Sequence, residues 1–515
     1  MGSNSPATQC KLDPGLTITP CHPGPLKLRK FSLVMDLVPM IFFGVYNDNV
    51  ETAIRVIKER VFFVLKDGLF VEPPRPAEAG YFALNMRSFQ EAYDKTFRRL
   101  PIMSQQSFVD CYEGKQRTVY QKALDSLSVT SLKDKDAKVV TFIKTEKVNF
   151  TAKANPVPRG ICPRRPRYHV SLGPTIRTIE KEQYRRIDKV FGSKTVFKSM
   201  NAYTRGKVLR EKWDKFTKPV AIGLDASRFD QHVSTQALQW EHANYRKYNN
   251  TKQFAWLLSQ QLKNRCTYYG RTATVSYVTE GGRMSGDMNT SLGNVTLMCG
   301  MVYSYMDYVG VSKYELVNDG DDCVLIIEVE DAPIVEQTLY GWFNDMGFTM
   351  KVEPRTMVFE RIEFCQSSPV WTPDGYIMVR HPITGLAKQC VSIKPLTGDK
   401  LMRRWLSAVG QGGMTLTGQV PIWQEFFKHC FNSAKGAKPL ANDPTQRTGF
   451  ERLARGMKRE YGIVHPKTRY SFYLAFGITP AEQLARENQI AQTPLTTWTD
   501  KLVDKSYVQS VGCLT

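Results

Sequence analysis

The stretch LVNDGDDCVLI, residues 316 to 326, sets Asp319, Asp321 and Asp322 within four positions between two apolar runs. The β-branched CVLIIEV and the short YELVN predict two strands, and Gly320 supplies the positive φ that a tight turn between them can require. The aspartates therefore crowd one hairpin tip. Two ionised carboxylates about 4 Å apart, at an effective dielectric near 20, repel by roughly 4 kcal/mol, enough to raise one pKa by about three units. A divalent cation removes that penalty, and an oxygen donor set favours Mg2+ or Mn2+ over zinc. Asp and Gly are also ordinary turn residues, so a solvated acidic turn explains the same letters without chemistry.

A second source of carboxylates lies in AIGLDASRFDQHVS, where a buried-looking strand ends at Asp225 and Asp230 follows near the start of a helix running through Trp240. As a helix N-cap, Asp230 would need no substrate. If Asp225 meets Asp321, two metal ions about 3.5 to 4 Å apart can clamp an attacking oxygen and a leaving phosphate oxygen. Between the two motifs, EGGRMSGDMNTSLGNVTLMCG is a glycine-rich loop entering a helix on which Thr290 and Asn294 share a face, with Ser285 and Gly286 just before it. A hydroxyl and an amide on one face suit a ribose, although a purely structural glycine loop reads the same way.

Charge narrows the partners. Lys plus Arg number 70 against 49 Asp plus Glu in 515 residues, a formal +21, which points to a polyanion: nucleic acid first, membrane phosphates second. Hydrophobic content of 42% and charged content of 23% exclude disorder and a fibrous repeat. The 11 cysteines form no C-x-x-C pair, which argues against a zinc ribbon or redox couple and suits a reducing compartment. The apolar stretch FSLVMDLVPMIFFGV is too short to span a bilayer and carries Asp36 and Pro39, and no signal peptide is expected before it.

Residues 1–30 are rich in Pro, Gly and Thr and predict an irregular arm. Helical periodicity follows from Val50 to Leu65 and again in YFALNMRSFQEAYDKTFRRL. KVVTFIKTEKVNF alternates, and the five prolines of NPVPRGICPRRPRYHVSLGP predict an extended backbone from which Arg159, Arg164, Arg165 and Arg167 project as a basic loop. From 219 to 330 the pattern reads strand, helix, strand, helix, hairpin, and beyond about 370 helices dominate.

In that order, D-x4-D, S-G-x3-T-x3-N and G-D-D resemble motifs A, B and C of viral RNA-dependent RNA polymerases. The flanks LDASRFDQHVS, GGRMSGDMNTSLGN and VNDGDDCVLI are similar to the plant tombusvirus family, particularly its carmovirus-like members. The resemblance implies an α+β right-hand polymerase: fingers over 31–218, a ferredoxin-like palm over 219–370 with a fingers insertion around 245–275, and a mostly helical thumb over 371–515. It implies RNA-templated nucleotidyl transfer from rNTPs with Mg2+ or Mn2+ on Asp225 and Asp321, Asp322 assisting. Asp230, Thr290 and Asn294 would sense the ribose 2′-hydroxyl, and Ser285 and Gly286 would belong to the template–substrate loop. The arginine segment resembles motif F, placing Lys144 and Arg159 over the triphosphate and Arg164 or Arg165 on phosphate nearby. Lys351 in MGFTMKVE resembles the motif D general acid, and IEFCQSSPV resembles motif E, which would grip the nascent strand near Phe364 and Cys365. Expected partners are viral template and nascent RNA and a membrane-anchored viral replication protein, at membrane-associated replication complexes in the host cytoplasm. A reverse transcriptase, or a non-catalytic RNA-binding replication or capsid protein, is the alternative.

Overall fold

The computed structural model describes residues 1–34, 41–153, 155–441, 449–495 and, for the backbone, 497–498; Asp36 and Pro39 lie outside the described residues. Among the described residues no helix is long and apolar enough to cross a membrane.

Four antiparallel strands stand side by side in the order Tyr314–Asn318, Asp322–Glu328, Pro219–Ala226, Met350–Val352. Helix Thr290–Val309 precedes the hairpin and helix Ala332–Asp345 follows it, so these elements run β-α-β-β-α-β along the chain. Strand side chains alternate between faces. Val220, Ile222, Leu224, Cys323, Leu325 and Ile327 share one core with the two helices. Ala221, Val324 and Ile326 enter a second core with helix Ala202–Trp213 and the hairpin Ser367–Thr372/Gly375–Arg380. Each fully buried Leu, Ile or Val contributes roughly 1.5–3 kcal/mol. Asp225 and Asp322 continue the second face at the end where its cover stops.

A five-stranded sheet lies alongside, in the order Thr17–Pro20, Ala273–Glu280, Lys263–Tyr269, Val139–Ile143, Gly160–Ile161. It corrects three expectations. The first 30 residues are not wholly irregular: Thr17–Pro20 adds an antiparallel edge strand to Ala273–Glu280, and Cys10 is buried. The excursion from the four-stranded sheet runs on to Glu280, because both of its strands pair within the second sheet. The proline-rich segment is extended only at its start. Pro166 opens helix Pro166–Val190, where a first-turn proline loses no hydrogen bond, and Pro174 sits inside it.

The C-terminal part is helical, through Asp399–Thr417, Trp423–Ser433, Pro466–Phe476 and Pro480–Gln492. Strand Ser32–Val34 pairs on one side with Val391–Ser392 and on the other with Thr497–Trp498, joining distant parts of the chain in one small sheet.

Candidate active site

Register brings the acidic residues together. Asp322 stands directly across from Asp225 on neighbouring strands, and Lys351 stands across from Asp225 on its other side. Directly opposed residues of an antiparallel pair share a face. Asp225 and Asp321 are exposed, as is the Lys351 side chain at 65%. Gly320 does adopt positive φ, 98°, at the turn.

The crowding at the hairpin tip is relieved unequally. Asp319 turns away into a cationic nest, 2.6 Å from Lys198 Nζ, 2.5 Å from Arg205 Nη2 and 3.4 Å from Arg452 Nη2. Burial works against its ionised form, but Lys198 and Arg205 override it and hold the carboxyl below its usual range. Among the described residues Asp322 has no such cations. Burial and the neighbouring Asp321 raise its carboxyl to about 6, against the opposing pull of the Cys365 N–H, which donates to Oδ2 at 2.9 Å. That N–H comes from a tight turn in which Cys365 and Gln366 both hold positive φ, 52° and 59°.

Asp230 is not a helix cap. It lies in the short turn Phe229–His232, and the following helix Thr235–Arg246 is capped by Ser234, whose hydroxyl accepts from Ala237 N–H. Asn294 donates to Asp230 Oδ1 at 2.8 Å, burial raises the Asp230 carboxyl, and Arg283 Nε donates in turn to Asn294 Oδ1 at 3.1 Å. Arg283 forms a two-pronged, fully buried ion pair with Glu241, and Asn289 donates to the same carboxylate at 2.9 Å. Burial alone would raise Glu241; the guanidinium overrides it and holds the carboxyl down. A Cβ on Gly293 would fall 2.3 Å from Arg283 Nη2, so glycine makes room for this pair. Neither Arg283 nor Glu241 was expected to matter; for Arg283 the signal available was a charged residue inside a glycine-rich run, whereas Glu241, among neighbours of mixed polarity, carried none.

Thr290 donates to Met284 O at 2.9 Å and Ser285 to Gly160 O at 3.2 Å, fastening the glycine loop to itself and to the arginine segment. Gly286 closes the same seam, because a Cβ there would meet Pro163 Cα at 2.5 Å. Thr290 thus spends its hydroxyl inside the loop and Ser285 on the arginine segment, whereas Asn294 faces Asp230.

The basic segment divides. Lys144 and Arg159 adjoin through a main-chain bond of 2.8 Å and share Glu146, at 3.0 and 3.4 Å. Arg165 is exposed. Arg164, expected as an alternative phosphate ligand, is sealed: its side chain is 1% exposed and bonds Asp287, Ala137 O and Asn264. Arg167 likewise does not project but folds onto Asp136 at 3.2 Å and onto the carbonyls of Thr130 and Ser131.

Two histidines beside this site are buried neutral. His232 bonds Arg228 O and Thr349 Oγ1, His242 bonds Gln261 Oε1, and burial lowers both to about 4. Because the unfolded chain titrates near 6.5, it binds more protons than the folded one between pH 6.5 and 4, so stability falls as pH drops through that window. The expected slope is about 1 kcal/mol per pH unit for each histidine. Urea unfolding at pH 7.5 and 5.0 measures it, and His242→Asn should flatten it.

The donors offered to a cation are oxygens: Asp225 and Asp322 opposed across two strands, with Asp321 beside them at the turn. The Asp322 carboxyl, raised chiefly by burial and further by Asp321, is a partly buried acidic group with no cation paired to it among the described residues. Both facts fit a hard divalent ion. Among the described residues no three His, Cys, Asp or Glu side chains form a ready-made metal cage. Such an ion would take its remaining ligands from water and substrate phosphates, as Mg2+ commonly does.

A family model described as viral RNA dependent RNA polymerase matches residues 19–498. The chain is similar to the RNA-directed RNA polymerases of Tobacco necrosis virus (strain A), 40% identical over 476 residues, and of Oat chlorotic stunt virus (isolate United Kingdom), 41% over 498. In each case 92% of this chain is covered, and 65% and 66% of the respective relative. That of Tomato bushy stunt virus (strain Cherry) is 36% identical over 484 residues, covering 93% of this chain and 58% of its own. The chain thus spans a little under two thirds of the length of these relatives. With the two acidic motifs meeting at one end of the four-stranded sheet and the match running nearly end to end, the chain belongs to the viral RNA-dependent RNA polymerase family.

Proposed function

We propose that this chain copies RNA from an RNA template, joining rNTPs by divalent-metal-assisted nucleotidyl transfer, and that it is the catalytic part of a plant-virus replicase. The observation that carries the reading is the register of Asp322 opposite Asp225, with Asp321 beside them. The four-stranded sheet is the palm, residues 31–218 with the excursion to Glu280 the fingers, and 371–515 the thumb.

Asp225 and Asp321, assisted by Asp322, would hold Mg2+, with Mn2+ able to substitute. Held there, such a cation would supply a lowered pKa for the RNA 3′-hydroxyl and charge neutralisation for the leaving pyrophosphate. Lys144, Arg159 and Arg165 bind the triphosphate, since guanidinium forks match phosphate oxygens. Arg164 instead props the segment that carries them. Lys351, across from Asp225 on the next strand, would give a proton to pyrophosphate, a reading that its register supports. Asp230, held by Asn294, accepts from the ribose 2′-hydroxyl, while Ser285, Gly286 and Thr290 shape the loop behind it.

RNA template, nascent RNA and rNTPs are the partners, with a membrane-anchored viral replication protein and membrane-associated replication complexes in the host cytoplasm as the setting. The test is Mg2+-dependent incorporation of labelled UMP on a defined RNA. Absence of incorporation with RNA binding intact would leave a non-catalytic RNA-binding protein, and equal use of dNTPs would favour a reverse transcriptase. Asp230→Ala or Asn294→Ala should reduce discrimination against dNTPs by roughly ten- to a hundredfold, the worth of a hydrogen bond to a charged group. Competing rNTP and dNTP incorporation measures it, and an unchanged ratio counts against the assignment.

A further inference from the structure

The turn at Cys365 and Gln366 is an anomaly. Phe364 and Ser367 close it with two main-chain bonds, Phe364 N–H to Ser367 O at 2.9 Å and Ser367 N–H to Phe364 O at 3.1 Å. Both central residues hold left-handed φ, 52° and 59°, the conformation for which hairpins ordinarily use Asn or Gly. Here cysteine and glutamine adopt it, and strained backbone persists where the surroundings hold it for a purpose.

The surroundings identify the purpose. The two bonds that close the turn leave the Cys365 N–H free, and it reaches Asp322 Oδ2 at 2.9 Å. The Cys365 thiol lies 3.7 Å from Asp319 Oδ2. Phe364 is buried, edge-on to Phe197 at 5.6 Å and 5.7 Å from the Arg205 guanidinium, the same group that pairs with Asp319. The turn is thus anchored by Phe364 and touches the carboxylates on both sides of Asp321. Gln366 is exposed, so its side chain is not what holds the turn in place.

We propose that the left-handed Cys365–Gln366 turn is a positioning device for Asp322: its backbone N–H holds one carboxylate oxygen and so aims the other toward the cation shared with Asp225 and Asp321. This rests on reading those aspartates as the reaction site. It gives the turn a task separate from gripping the nascent strand, since the contact runs to the carboxylate and not to RNA.

The test uses position 366, where a substitution acts through backbone conformation. Gln366→Asn and Gln366→Gly tolerate left-handed φ, whereas Gln366→Val, branched at Cβ, does not. The valine variant should lose turnover by about tenfold. Its half-saturating Mg2+ concentration should rise several-fold, with RNA affinity by fluorescence anisotropy and thermal midpoint close to wild type. Asparagine and glycine variants should keep both turnover and the Mg2+ midpoint. If the valine protein does not fold, Gln366→Thr, with the same branching, takes its place. A valine or threonine variant with an unchanged Mg2+ midpoint overturns the proposal, as does one whose only loss is in RNA affinity. A wild-type protein without RNA-templated synthesis would instead overturn the reading of the site beneath it.

Discussion

Asp321→Asn is expected to abolish nucleotide incorporation, by about a thousandfold or more, while leaving RNA affinity nearly intact. The substitution keeps shape and hydrogen-bonding capacity but deletes one unit of charge where a divalent ion is to be held, and such an ion supplies several kcal/mol of transition-state stabilisation. RNA affinity should survive because, on the proposed function, it would come mainly from phosphate contacts offered by a chain with 70 Lys and Arg. Asp319→Asn, two residues away, should behave differently. Its carboxylate is committed to Lys198, Arg205 and Arg452, so the loss appears first in stability. Steady-state incorporation alongside urea unfolding separates the two, and equal activity of Asp321→Asn and wild type would refute the assignment.

The second large effect is expected away from the aspartates. Glu241→Ala or Arg283→Ala should each destabilise the fold by about 3–5 kcal/mol, because removing one partner leaves the other charge buried without compensation. Both side chains are at most 1% exposed, and Asn289 and Asn294 depend on the same pair. Replacing both charges with apolar groups of similar volume should cost much less than either single change, as isosteric replacement of buried pairs often does. Chemical denaturation of the singles and the double measures this. Where the Arg283 variant still folds, Asn294 has lost its guanidinium partner, and selectivity for rNTPs should fall with it.

These two predictions also mark what sequence reading can reach. Asp225, Asp321 and Asp322 were legible because their placement follows from local rules: a strand ending in Asp, an alternating hairpin and a glycine at its tip. The order β-α-β-β-α-β was not read from local pattern, which over 219 to 330 gives strand, helix, strand, helix, hairpin; it followed from the ferredoxin-like palm that the resemblance implies. What was missed depends on partners far away in the chain. Asp319 resembled its neighbours until Lys198 and Arg205, 121 and 114 residues distant, claimed it. Arg164 resembled Arg165 until Asp287, 123 residues on, drew it inside. The helix from Pro166 was hidden by its own prolines, which local propensity counts against a helix although the first turn accepts them. The extra strand at Thr17–Pro20 exists because Ala273–Glu280 offers it an edge, and nothing within the first 30 residues announces that edge.

The small sheet in which Ser32–Val34 lies between Val391–Ser392 and Thr497–Trp498 bears on how segments distant in the chain hold together. Drawing that strand away from its neighbours would sever main-chain bonds on both of its edges, along with the bond from Leu396 N–H to Ser32 Oγ. Loosening either neighbour therefore bares main-chain groups of the strand between them, so the three segments are clasped together, each release weakening the next.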